Sequence, residues 1–115
     1  MLRHLDEELK GLHKDILRMA VFAQESIFKS IESLKNRDKY LAQEVINNDN
    51  KIDELELAID EKCIDLIARY QPMAGDLRYI TTGMKINTEL ERIADIALDI
   101  SQKSLELMEK PLLNR

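Results

Sequence analysis

Apolar residues recur three and four positions apart in three long runs along the chain, the spacing of helices that each bury one stripe. The first run reads Leu2, Leu5, Leu9, Leu12, Ile16, Met19, Ala23, Ile27, Ile31 and Leu34, and predicts a helix over residues 2–36. Gly11 inside it costs about 1 kcal/mol relative to alanine, which the aligned apolar side chains absorb. The polar cluster Asn36-Arg37-Asp38 ends this helix, with Asp38 placed to cap the next by accepting from its free backbone amides. The second run, Leu41, Val45, Asn48, Ile52, Leu55, Ile59, Cys63, Leu66 and Tyr70, predicts a helix over 38–70. Asn48 stands where an apolar residue belongs and reads as a register-fixing polar group. Pro72 and Gly75 break the pattern, so a third helix starts with a first turn at Pro72 or with a cap at Asp76. It spans 73–110 along the seam Gly83, Ile86, Leu90, Ile93, Ala97, Ile100, Ser104 and Leu107, and Pro111 closes it.

Short connections between long helices leave one arrangement, an all-α, antiparallel up-down-up three-helix bundle of the spectrin-like kind, with residues 1–115 forming a single domain. Helices of about thirty residues make it a rod ~45 Å long. Composition agrees. Two prolines and three glycines cannot supply the turns of a sandwich or barrel, and 44% hydrophobic with only 4% aromatic residues describes an aliphatic core.

Charge and cysteine usage narrow the function. The 22 acidic residues outnumber 17 basic ones, and the net charge of -5 opposes phosphate-backbone binding, so nucleic acid is not an expected partner. The lone Cys63 forms no intrachain disulfide and fits a reducing cytoplasm; it reads as a small core hydrophobe. No apolar stretch approaches the ~20 residues of a spanning helix, so membrane association is expected only through a partner.

Familiar catalytic signatures are missing. There is no Gly-rich phosphate loop, and neither His4 nor His13 has a glutamate three residues before it, which rules out the Glu-x-x-His of di-iron bundles. Both histidines lie off the first seam and read as solvated. What recurs is an acid four residues before an aspartate, at Asp49/Asp53, Glu56/Asp60, Glu61/Asp65, Glu91/Asp95 and Asp95/Asp99. Like charges at that spacing repel by ~0.2–0.5 kcal/mol per pair on an isolated helix, a cost that a bound cation turns into binding energy.

At about 100° per residue, Glu91, Asp95 and Asp99 fall well away from the Ile86/Leu90/Ile93/Ala97 seam and are expected to face outward. Asp49, Asp53, Glu56 and Asp60 form a stripe beside the second seam. In an antiparallel bundle the two stripes can meet along one edge and supply oxygen ligands from two helices, suited to hard ions and not to structural zinc. The residues alone favour a solvated acidic face balanced by Lys51, Arg78, Lys85 and Arg92 over a metal site.

Four segments together resemble the PhoU family of phosphate-uptake regulators: Asn48-Asp49-Asn50-Lys51-Ile52-Asp53, Ile59-Asp60-Glu61-Lys62-Cys63, Gln71-Pro72-Met73-Ala74-Gly75-Asp76-Leu77-Arg78 and Glu89-Leu90-Glu91-Arg92-Ile93-Ala94-Asp95-Ile96-Ala97. The resemblance covers almost the whole chain. It implies three-helix repeats in tandem and a cytoplasmic negative regulator of phosphate uptake rather than an enzyme. Such a protein links the ATPase subunit of a phosphate ABC transporter to a membrane sensor histidine kinase. It also implies surface metal clusters on Glu/Asp-x-x-x-Asp motifs, here Glu91 and Asp95 on the third helix, Asp49 and Asp53 on the second, and Asp99 beside them. Iron, manganese or magnesium, held by oxygen, is the expected cofactor. Arg78 and Arg92, which lie within the resembling segments, are candidate partner contacts, against the plainer reading of salt bridges to Asp76 or Glu89.

Two departures from the family pattern stand out. Ala94 occupies the usual glycine position before the motif aspartate. The chain also reaches Pro111-Leu112-Leu113-Asn114-Arg115 about where a second repeat would begin, which reads as a truncated first half or a single-repeat member and leads to an expectation of a homodimer. Two other functions compete. A carboxylate-metal hydrolase would lack a water-excluding pocket. A plain helical interaction module would use its acids only for solubility.

Overall fold

A computed structural model describes residues 2–110 of the protein, with side chains from His4 onward. Three helices account for nearly all of it: α1 (Leu2–Asn36), α2 (Lys39–Tyr70) and α3 (Ala74–Met108). Each packs against both others, and the short links force α2 to run antiparallel to α1 and α3. The bundle measures 67 × 20 × 16 Å, a longer rod than the ~45 Å expected; its helices of 35, 32 and 35 residues each span about 48–53 Å, which accounts for only part of the difference.

The first link is built as its sequence requires. Arg37 enters the left-handed region at φ 51°, and the Asp38 amide donates to the Ser33 carbonyl at 3.0 Å, a Schellman closure of α1. Asp38 then caps α2, accepting from the Tyr40 and Leu41 amides at 3.0 and 3.2 Å. At the second link the structure takes neither expected option. Gln71 adopts the left-handed conformation and closes α2 through its amide to the Ile67 carbonyl, and α3 begins at Ala74 after a Met73 cap that has no side-chain hydrogen bond. Asp76 sits in the first turn, where its charge favours the helix N-terminus. The expected closure at Pro111 lies outside the described residues.

The α2 seam packs as its periodicity predicts, with Val45, Ile52, Ile59, Cys63 and Leu66 buried. Leu12, Met19 and Ile80 complete that core from the other helices, each buried aliphatic side chain contributing about 1.5–3 kcal/mol. Burial pushes the Cys63 thiol up to about 11, which makes it an inert packing residue.

The other two seams depart from expectation. On α1 the stripe is right as far as Ala23, but beyond it Ser26, Ser30 and Ser33 are buried, while Ile31 and Leu34 are about half exposed. On α3 the buried line is Ile80, Gly83, Asn87, Ala94, Ala97, Ser101 and Ser104, and Ile86, Ile93 and Leu107 lie on the surface. Small residues occupy the contact because α1 and α3 approach closely. A Cβ added at Gly83 would meet Ile16 Cδ1 at 2.9 Å. On α1 the serine hydroxyls cost little there, since Ser30 and Ser33 donate to the Ile27 and Ser30 carbonyls of their own helix at 2.8 and 2.7 Å, whereas the Ser101 hydroxyl of α3 is buried without a partner. Large aliphatic side chains are displaced to the flank of the same contact.

Candidate metal centre

Asp49 and Asp53 lie one turn apart on α2, and Asp95 faces them from α3. One carboxylate oxygen of each falls within 4.8 Å of the others. Oxygens bound to one hard cation at about 2.1–2.6 Å lie no more than ~5 Å apart, so the three can share a single ion. Glu91, one turn before Asp95, extends the group: its carboxyl is close enough to share a hydrogen bond with Asp95 and feels the charges of Asp53 and Glu56.

Glu91, like Asp49, is partly buried, and its Oε2 is buried without a hydrogen-bond partner. That corrects the expected outward orientation. Measured from the observed Asn87/Ala94 line rather than from Ile86/Ile93, Glu91 stands on the flank facing α2. Burial, then the Asp95 hydrogen bond and the Asp95, Asp53 and Glu56 charges, raise its carboxyl to about 8. Asp49 is raised by burial first and by Asp53 and Asp95 next. Glu56 is raised by burial, then by Asp60, Asp53 and Asp95.

Among the described residues, no lysine or arginine forms an ion pair with Asp49, Asp53, Glu56, Glu91 or Asp95. Two cations of α3 are engaged elsewhere. Lys103 holds Asp99 at 3.0 Å, which sets Asp99 apart from the grouped carboxylates, and Arg92 pairs with Glu89 at 3.6 Å. Arg78 is exposed, and among the described residues it makes no ion pair with Asp76. His4 and His13 are exposed as expected, and His13 Nδ1 meets the Tyr79 hydroxyl at 3.1 Å.

The donor set fits a hard cation on three counts: it is all oxygen, it gathers like charges that no basic side chain neutralises, and it holds a buried carboxylate oxygen with no partner. Two contributors were not in the sequence-derived ligand set. Glu56 continues the Asp49/Asp53 stripe three residues on, so its spacing was a usable signal. Asn87 was not legible. Its buried amide donates to the Glu56 carbonyl at 2.9 Å and ties α3 to α2 one turn before Glu91, yet in sequence it is one polar residue between Ile86 and Thr88.

A family model of the PhoU domain matches residues 16–104, which include α2, nearly all of α3 and every grouped carboxylate. The chain belongs to the PhoU domain family. It is 40% identical over 109 residues to phosphate-specific transport system accessory protein PhoU homolog 1 of Thermotoga maritima, covering 95% of the chain and 47% of that protein. The PhoU homolog of Aquifex aeolicus is 43% identical over 107 residues, 93% of the chain and 48% of that protein. The Escherichia coli PhoU accessory protein is 36% identical over 99 residues, 86% of the chain and 41% of that protein. The chain thus spans about half the length of these relatives. Among the described residues no helix is long and apolar enough to cross a membrane.

Proposed function

We propose that the chain is a metal-binding regulatory module of phosphate transport, a negative regulator without enzymatic activity of its own. In this reading Asp49, Asp53, Glu91 and Asp95 hold iron, manganese or magnesium between α2 and α3, with Asp99 able to join by releasing Lys103. The bound ion cross-links two helices and presents a fixed surface to the ATPase subunit of a phosphate ABC transporter and to a membrane sensor histidine kinase. Arg78 and Arg92 are exposed and serve as partner contacts, the module works in the cytoplasm, and it acts as a homodimer. The names of the relatives support the transport context, and their greater length makes the activity of a whole protein part of the proposal.

The observation that carries the metal reading is the unpaired, buried Glu91 oxygen beside three carboxylates that no basic residue neutralises. Metal analysis and calorimetry with Mn²⁺, Mg²⁺ and Fe³⁺ test it. Binding should occur in the native protein and disappear in Asp53→Ala/Asp95→Ala. A cell reporter of phosphate starvation should then be released by the same double variant. Equal cation binding by native and variant protein would falsify the ligand assignment.

A further inference from the structure

A cavity of about 170 Å³ opens between α1 and α2, on a different edge of the bundle from the grouped carboxylates. Its volume is comparable to the ~150 Å³ of an apolar cavity that takes up benzene. Phe22 of α1 and the buried Val45 and Ile52 of α2 line it with carbon. The polar groups around it lack partners. Ser26 is only 7% exposed, yet among the described residues its hydroxyl makes no hydrogen bond, whereas Ser30 and Ser33 each donate to a carbonyl of the same helix. Buried polar groups are almost always paired, so a free hydroxyl at a cavity wall points to something that fills the cavity. Asn48, the polar residue within the apolar α2 seam, is half-buried at the same wall, and its amide is likewise unpaired among the described residues. Glu25 and Lys51 complete the lining as exposed opposite charges, and neither forms an ion pair with a described residue. Lys29, the remaining charged group, is held by Glu44.

We infer that this cavity binds a zwitterionic α-amino acid with a small aliphatic side chain, such as leucine. The unpaired charges decide the class. With Lys29 neutralised by Glu44, one positive and one negative group remain, which matches a ligand carrying one carboxylate, one ammonium and no net charge. The ligand carboxylate accepts from the Lys51 ammonium, the Asn48 amide and the Ser26 hydroxyl, and its ammonium donates to the Glu25 carboxylate. A dianion such as inorganic phosphate would meet Glu25 as a like charge, while a simple carboxylic acid or amine would leave Glu25 or Lys51 without a partner. The ligand side chain replaces water against Phe22, Val45 and Ile52, as expected of a small-molecule site with carbon walls and a few converging polar groups. A benzene-sized volume admits the side chain of leucine and excludes the indole of tryptophan. None of these residues belongs to the grouped carboxylates, so the inference stands apart from the metal reading.

Nitrogen–proton correlation NMR of the isotope-labelled, metal-free chain, titrated with L-leucine, tests the inference. Saturable shifts are expected at amides within residues 22–29 and 45–52, which carry the lining side chains. The affinity should weaken at least tenfold in Lys51→Gln and in Ser26→Ala. Circular dichroism reports folding, and if Ser26→Ala loses its helices, Lys51→Gln probes the same cavity from an exposed position. Isocaproate, which is leucine without its ammonium, and isoamylamine, which is leucine without its carboxylate, should each bind at least tenfold more weakly, and L-tryptophan should leave the spectrum unchanged. Shifts that never saturate with leucine, or an affinity that Lys51→Gln leaves intact, overturn the inference. So does equal binding of isocaproate or isoamylamine, or inorganic phosphate shifting these amides where leucine does not. Because metal is absent throughout, failure here leaves the metal reading untouched, and failure of the cation titrations leaves this site untouched.

Discussion

Helix α3 carries two unlike surfaces on its two flanks. Toward α2 it presents Glu91 and Asp95, which join Asp49 and Asp53 in a patch of charge too crowded to be at ease in water alone. On its other flank, beside α1, it presents Ile86, Ile93 and Ile96, an apolar stripe too large for ordinary surface scatter. Both flanks bracket the same narrow line of Gly83, Asn87, Ala94 and Ala97. Small residues on that line let the helices close, and whatever is large or charged is pushed to one edge or the other. A helix that packs through its smallest residues thus has two flanks free for other tasks.

The largest effect that would break this contrast is on the acidic edge. Asp53→Ala/Asp95→Ala should weaken Mn²⁺ affinity by about 100-fold or more, ~2.7 kcal/mol, in a calorimetric titration, since it removes two of three grouped oxygens. An α1-side substitution such as Phe28→Ser should leave that affinity unchanged, and if it does not, the two flanks are coupled.

Next is the line between them. Asn87→Ala removes a buried amide that joins α3 to the Glu56 carbonyl, and should cost about 1–3 kcal/mol in chemical denaturation. The acidic edge should also set a pH dependence. Glu91 binds its proton up to about 8 in the folded protein, above the ordinary carboxyl value of 4.5 that the unfolded chain has. Between these values the folded state holds more protons than the unfolded one, so metal-free stability should fall as pH rises through that window. Glu91→Gln should flatten the fall, and excess Mn²⁺ should reverse it, because the metal favours the ionised carboxylate. Melting curves across the window check both.

Smaller still is Gly11→Ala, which should raise stability by about 0.5–1 kcal/mol. The new Cβ would meet only the Lys62 ammonium at 2.9 Å, the far end of a flexible side chain. Smallest is Arg92→Glu, whose partner Glu89 is a solvent-exposed i,i+3 contact, so the melting temperature should barely move. Loss of regulation in cells without loss of stability would then assign Arg92 to partner contact.

The three helices, their approximate ends and the Asp38 cap follow from sequence, because period, capping chemistry and link length are local properties. So does the pairing of Asp49 with Asp53 and of Glu91 with Asp95, which one helical turn guarantees. Local sequence did not determine which α1 and α3 residues face inward. Reading hydrophobicity as burial favours Ile31, Leu34, Ile86 and Ile93 over Ser30, Ser33, Asn87 and Ser101, whereas the bundle buries the second set. That choice belongs to tertiary structure, since helix separation is set by all three helices at once and a close contact admits only small side chains. The same rotation turns Glu91 from an outward acid into a half-buried one whose lost solvation raises its proton affinity.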